Sequence, residues 1–153
     1  VLNTAGIAHE LLEFEAEVHS AAEAAERLGL RPSQIFKTLV VRADVGKVLL
    51  ALVPGDQELN LRSLARCAGA KRVEMVDQSE LMRSVGYIKG GVSPLGTKRA
   101  CPTFIDATAL EHEHISVSAG VRGLQIWIRP DDLIRATKAT VEDLTGRPPA
   151  VGP

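Results

Sequence analysis

Aromatic residues are scarce: three phenylalanines, one tyrosine and one tryptophan in 153 residues. The core must therefore be built from Leu, Val, Ile and Ala. No apolar run reaches the roughly 18 residues that span a bilayer. The N-terminal stretch lacks a basic segment followed by a long apolar one, so neither a membrane partner nor a signal peptide is expected. Two cysteines, Cys67 and Cys101, do not make a disulfide framework, and the expected compartment is the cytoplasm. A strong charge bias is also missing. The net charge of −1 gives no global case for nucleic acid, and DNA is not an expected partner. There is no Ser-His-Asp order, no G-x-S-x-G elbow and no carboxylate pair, so a hydrolase of the familiar triad kind is poorly supported. His112 and His114 flank Glu113 and could share a strand face, but nothing supplies a second ligand pair at a known spacing. No metal and no cofactor is expected.

What is present is a glycine-rich stretch, Gly86 to Arg99, holding four of the thirteen glycines, one proline, three basic residues and no acid. Paired glycines let a backbone approach a ligand closely, and successive free N–H groups can form a nest for an anion or a carbonyl oxygen. Gly91 and Gly96 have the separation of a phosphate-binding P-loop, but Thr97-Lys98 stand in the wrong order and a strand-like segment follows where a helix is needed. A nucleotide triphosphatase is excluded. The stretch reads either as a loop for something oxygen-rich or as an ordinary Gly/Pro connection between strands.

Charge is unevenly spread. Residues 1–30 carry six acids against Arg27 alone, while residues 31–102 carry twelve Lys/Arg against six acids. The surplus gathers at the glycine stretch and at Arg62, Arg66, Lys71 and Arg72. Such a face could meet RNA phosphates or be an ordinary solvated surface.

Along the chain, loose alternation over 10–18 predicts a strand, and Ser20 with Glu23 three residues on predicts a capped helix over 21–28 ended by Gly29. Strands are predicted at 36–42 and 47–53 around a hairpin connection, the second buried on both faces. A helix over 61–68 follows Asn60, with Leu61, Leu64 and Ala65 inward and Gly69 as its stop. A strand at 72–76 and a short helix at 80–85 precede the glycine stretch. Strands are predicted at 103–106, 115–118 and 124–128, a helix at 131–137 started by Pro130, and a turn at 140–144. This is one α+β (mixed α/β) domain over residues 1–153, with a mixed sheet that can curl toward a barrel and a loose tail from about 146.

Lys37 is the sharpest single residue. It interrupts Ile35-Phe36-Lys37-Thr38-Leu39-Val40-Val41, where every neighbour favours burial. It either snorkels to the surface or points into a polar cleft.

Phe36-Lys37-Thr38-Leu39, Val73-Glu74-Met75, Gly86-Tyr87 and Gly90-Gly91-Val92-Ser93-Pro94-Leu95-Gly96, in this order, resemble the YbaK/EbsC family, relatives of the editing domain of bacterial prolyl-tRNA synthetases. Ser118-Ala119-Gly120-Val121-Arg122-Gly123-Leu124 adds a likeness to that family's S-G-G-K-R-G-L stretch, and the resemblance runs from about Ile7 to Leu144. It implies a mixed sheet curled into a partial barrel with flanking helices, and hydrolysis of the ester of a mischarged aminoacyl-tRNA, typically Cys-tRNA(Pro). The implied partners are the acceptor end of the aminoacyl-tRNA and prolyl-tRNA synthetase. By the same resemblance Lys37 is the key catalytic lysine. Gly90, Gly91, Ser93, Pro94 and Gly96 form a loop wall, and Ser118 and Gly120 close the other side. The implied chemistry uses the substrate's own thiol, so the missing triad is expected. Phe14 stands where the best-known members have tyrosine, Ser20 where they have phenylalanine, and Ala119 replaces a glycine. Phe14 and Ser20 are wall residues, and such changes alter which acyl group is accepted. The alternatives are a deacylase for another small amino acid, alanine or serine, and a non-catalytic module that binds a tRNA acceptor end or a nucleotide.

Overall fold

The computed structural model describes residues 9–13, 21–44, 46–76, 93–95, 101–120 and 124–146. Among these are eight strands: β1 (Glu10–Glu13), β2 (Ile35–Ala43), β3 (Val48–Pro54), β4 (Val73–Met75), β5 (Thr103–Asp106), β6 (Ile115–Ser118), β7 (Leu124–Ile128) and β8 (Thr140–Glu142). The three described helices are α1 (Ala21–Leu28), α2 (Leu61–Ala68) and α3 (Pro130–Thr137). The predicted helix at 80–85, and Ser20 as cap of α1, fall outside the described residues.

All eight strands form one mixed sheet in the order β1-β7-β6-β2-β3-β5-β8, with β4 as a branch on β2. The path is open, so the sheet is not a closed barrel. β2 and β3 pair antiparallel over seven positions, from Phe36 with Pro54 to Arg42 with Val48. Their apolar, β-branched sequences suit a strand buried on both faces, and β3 is buried from Leu49 to Pro54. β2 and β6 run parallel, as do β3 and β5, and β5 and β8.

Two core layers cover the two faces. One face carries Phe36, Leu52, Ile105, Val117, Ile126 and Ile128, packed with Leu133 of α3 and with Leu95. The other carries Val41, Ala43, Leu49, Ala51, Val53 and Phe104, packed with Leu64 and Ala65 of α2. Ala25 of α1 covers Ile35 on that second face.

α2 has its predicted bounds for the predicted reasons. The Asn60 side chain accepts from the Ser63 N–H at 3.0 Å, and Gly69 takes φ 70° at the C-terminus. Its inward stripe differs from expectation. Leu64 and Ala65 are buried, with Ser63 beside them, but Leu61 is exposed at 37%. Leu61 lies in the first turn, where the helix has only just met the sheet. The turn expected at 140–144 is instead strand β8, because Phe104, Ile105 and Asp106 of β5 offer a free edge that Thr140, Val141 and Glu142 complete. The fully buried Asp106 fixes that closure. Its carboxylate accepts from the N–H and the hydroxyl of Thr108 and, at 2.8 Å, from the N–H of Leu144.

Candidate functional site

β2 is a central strand, yet along part of one edge no described strand pairs with it. On the side away from β3, β6 pairs only with Ile35 and Phe36. β4 begins at Val41, and the Val76 N–H reaches back to the Val40 carbonyl at 3.1 Å. Between Phe36 and Val40 no described strand lies against that edge. The Ile35 carbonyl accepts from Gly55 on the β3 side, whereas the Val40 carbonyl faces β4. Backbone groups alternate along a strand, so the N–H and C=O of Thr38 point into the gap.

Lys37 stands at this gap. It is half-buried and pairs with the fully buried Val53. Pairing of Ile35 with Ser116 sets Lys37, Ser116 and Ser118 on one face, and the next step of that register sets Ser118 level with Lys37. Ser118 in turn faces Gln125 on β7. Ser116, Ser118 and Gln125 are all buried, and the Ser116 hydroxyl donates to Gln125 Oε1 at 2.7 Å. This polar patch in a sheet of Val, Ile and Leu is the floor beside Lys37. Gly120 follows at φ 104°, a conformation that disfavours a side chain, and its N–H donates to Ser118 Oγ at 3.2 Å.

Of the glycine stretch, Ser93, Pro94 and Leu95 are described, and all three are buried. Ser93 Oγ accepts from the Leu95 N–H at 3.2 Å, a local turn that fixes the segment. Leu95 shares its core cluster with Phe36 and Val117, so this segment lies on the face opposite Lys37. Lys37 and residues 93–95 thus lie on opposite faces of the sheet. Phe14, Ser20, Gly90, Gly91 and Gly96 lie outside the described residues.

Thr38 was not singled out in the sequence. Its Oγ1 is buried and has no hydrogen-bond partner. Buried hydroxyls are normally paired, so this one, closed to solvent and without a partner, marks Thr38 as a residue to test. Ser116 and Gln125 were missed as well. The only signal was polar residues in otherwise apolar strands.

The other candidates have local roles. His114 stacks on Trp127 at 5.4 Å between ring centroids. His112 ends a 3₁₀ turn, where burial first and the Arg31 guanidinium second hold its imidazole below the ordinary value. Burial, and then Glu142, push the Cys67 thiol up, which makes it a poor nucleophile. Among the described residues no three ligand-type side chains cluster closely enough to hold a metal. Nor is any described helix long and apolar enough to cross a membrane.

The model of the aminoacyl-tRNA editing domain matches residues 15–136. The chain belongs to the aminoacyl-tRNA editing domain family. This editing domain is 40% identical over 131 residues to an Enterococcus faecalis protein named as a Cys-tRNA(Pro)/Cys-tRNA(Cys) deacylase, EbsC, covering 85% of this chain and 80% of that one. It is 35% identical over 118 residues to the proline–tRNA ligase of Shouchella clausii, covering 76% of this chain but only 20% of the ligase. A crystal structure described as a trans-editing enzyme for prolyl-tRNA synthetase superposes with a TM-score of 0.87 at 28% identity, over 95% of this chain and 92% of that one. The open mixed sheet with flanking helices is the fold of these editing domains.

Proposed function

We propose that this chain is a trans-editing aminoacyl-tRNA deacylase that removes the amino acid from mischarged tRNA, with Cys-tRNA(Pro) as its first substrate. The observation that carries this reading is a half-buried lysine at the open edge of a central strand, in a chain 40% identical to the E. faecalis protein over most of its length. The edge at Thr38 offers a backbone donor and a backbone acceptor beside the Lys37 cation, which suits an ester and its developing oxyanion.

In the proposed chemistry the cysteinyl Sγ attacks its own ester carbonyl. The C–S bond forms, the C–O bond to the ribose breaks, and the thiol proton ends on the ribose oxygen. A cyclic thioester leaves. The protein has only to hold the ester in attacking geometry and to stabilise the oxyanion, here with Lys37 and the loop backbone. Gly90, Gly91, Ser93, Pro94 and Gly96 would wall the ester on one side, and Ser118 and Gly120 on the other. Phe14 and Ser20 would line the acyl pocket. For alanine or serine a positioned water must attack instead. The departures at Phe14, Ser20 and Ala119 favour keeping that second substrate class in view. A site that reads the acceptor end alone leaves tRNA identity to a partner, and prolyl-tRNA synthetase is the partner we propose.

The test is to incubate the purified protein with Cys-tRNA(Pro), Ala-tRNA(Pro) and Pro-tRNA(Pro), and to follow the remaining ester with and without the synthetase. Loss of the cysteinyl species alone supports the thiol route. Loss of the alanyl species points to water attack. Binding without loss of any ester overturns the deacylase reading in favour of a binding module.

A further inference from the structure

One level of the sheet carries a short polar row. Leu12 of β1 pairs with Gln125 of β7, Gln125 with Ser118 of β6, and Lys37 of β2 with Val53 of β3. The step beyond the Phe36–Val117 pair sets Ser118 level with Lys37. Adjacent strands β1, β7, β6, β2 and β3 thus present Leu12, Gln125, Ser118, Lys37 and Val53 on one face, with the polar side chains between two apolar ones. Strands lie about 4.8 Å apart, so the polar part spans roughly 9.6 Å from Gln125 to Lys37. That is room for one aminoacyl ester with its ribose.

The row is open where the polar groups stand. Lys37 is half-buried, and Ser118 and Gln125 each keep 8% of their surface, whereas Ser116, two residues back along β6, keeps none. Gln125 is held so that its amide nitrogen is the free end. Its Oε1 accepts from the hydroxyl of Ser116, its diagonal neighbour, at 2.7 Å. Among the described residues no hydrogen bond reaches Nε2. Nor is Nε2 closed to solvent: the buried side-chain atoms without a partner are, among those residues, Thr38 Oγ1 and Thr145 Oγ1. A carboxamide is costly to bring into an apolar sheet unless its groups are paired, and this one is paired at one end only.

The groups of the row are donors. Lys37 brings an ammonium. Ser118 Oγ accepts from the Gly120 N–H, which leaves its own O–H to donate. Gln125 adds the N–H groups of its amide. On this face of β1, β2, β6 and β7 the one described acid is Glu10, which is exposed and stands opposite Trp127, outside the row. Such a row fits a ligand rich in acceptor oxygens, as an ester on a ribose is. A neutral donor also suits this place. A carboxylate here would pair with the Lys37 ammonium and cancel it, and a second cation would repel it.

We propose that Gln125 is a substrate-binding residue of this site, its amide nitrogen donating to an oxygen of the aminoacyl ester, and that Ser116 is a positioning residue that holds the carboxamide in that sense. The identity of the ligand rests on the deacylase reading; the orientation of the carboxamide does not.

The test is a double-mutant cycle of Gln125→Met, which keeps the length and removes the donor, Ser116→Ala, and the two together. Single-turnover kcat and KM on Cys-tRNA(Pro) are measured well below the lowest Tm of the set, so that every variant is folded. Gln125→Met should lose about tenfold in kcat/KM, the worth of one hydrogen bond. Ser116→Ala lets the carboxamide turn and should lose about threefold alone, but nothing further in the Gln125→Met background. A loss in kcat places the donor at the carbonyl oxygen, where charge develops, and a loss in KM places it at a ribose oxygen; both support the assignment. Gln125→Met within twofold of wild type, or a Ser116→Ala loss as large in the Gln125→Met background as alone, overturns it. If wild type leaves every ester intact, the deacylase reading fails by itself. Binding of adenosine carrying cysteine through an amide at its 3′ nitrogen then decides. Binding at least threefold weaker in Gln125→Met supports the role of Gln125, and equal binding, or none by wild type, overturns it.

Discussion

Replacement of Lys37 by methionine separates charge from packing. The lysine stem lies on the sheet between Ile35 and Leu39, opposite Val53, which is fully buried. Methionine keeps most of that apolar length and removes only the ammonium. Because the residue is half-buried, loss of its charge removes a desolvation cost as well as any favourable contact. Folding stability should stay within about 1 kcal/mol, a Tm shift of roughly 2–4 °C for a chain of this size. Turnover should behave otherwise. A cation that meets charge developing at the ester carbonyl contributes what an oxyanion-hole donor does, about 2.7–4 kcal/mol or 10²–10³ in kcat. A lysine that only held the terminal phosphate would give uniform binding, and its loss would raise KM with kcat kept. Single-turnover loss of ester from Cys-tRNA(Pro), run from low to saturating protein, measures both constants. Lys37→Arg, which keeps the charge, should recover part of the rate. If Lys37→Met stays within threefold of wild type in both constants, the role given to this residue is wrong. A Tm loss beyond about 8 °C would make it structural.

Three further substitutions test other parts of the argument. Thr38→Val removes a buried hydroxyl that has no partner, so it should stabilise the free protein by about 1 kcal/mol while lowering turnover roughly tenfold. Thr145→Val, whose hydroxyl is also buried and unpartnered, should stabilise without touching turnover, and equal activity in the two variants would remove Thr38 from the site. Asp106→Ala strips the acceptor from Thr108 and from the Leu144 N–H and should cost about 3–5 kcal/mol, roughly 10 °C in Tm; a shift under 3 °C would show that β8 is held by other means. His112 titrates below the ordinary value through burial and Arg31, against Glu111, Asp56 and a backbone bond to Ser33. A histidine depressed in the fold adds stability above its unfolded pKa of about 6.5, which is lost as pH falls through the lower folded value. The urea midpoint of His112→Gln should therefore approach that of wild type between pH 7.5 and 5, and a constant gap would contradict the assignment.

The elements readable from sequence are those whose ends are chemically marked. Asn60 and Gly69 bracket α2, and β5, β6 and β7 have the bounds that apolar alternation between turns predicts. β8 was read as a turn because Thr140-Val141-Glu142 contains one apolar side chain and owes its conformation to β5, more than thirty residues earlier. Leu61 was misplaced because a helical period gives a stripe but not where the stripe begins to touch its sheet. Lys37 stood out because a cation in an apolar run is costly wherever it points. Thr38 did not, since threonine is an ordinary strand residue and only tertiary structure can leave its hydroxyl buried without a partner.

The gap itself could not have been read from any local segment. Among the described residues, two strands distant in sequence share one edge of β2 and do not meet. β6 holds Ile35 and Phe36, β4 holds Val41 to Ala43, and neither reaches Thr38. On the other edge β3 pairs with β2 through the same stretch, so the ladder on that side is unbroken. A reactive group on a rigid strand is held more closely than one on a loop. On the proposed reading, Lys37 is the strand-borne part of the site. The function proposed above assigns the chemistry to β2 and the choice of amino acid to Phe14, Ser20 and Ala119. Exchanges at those three positions should move acyl preference by the few kcal/mol that a pocket wall controls, and leave the dependence on Lys37 intact.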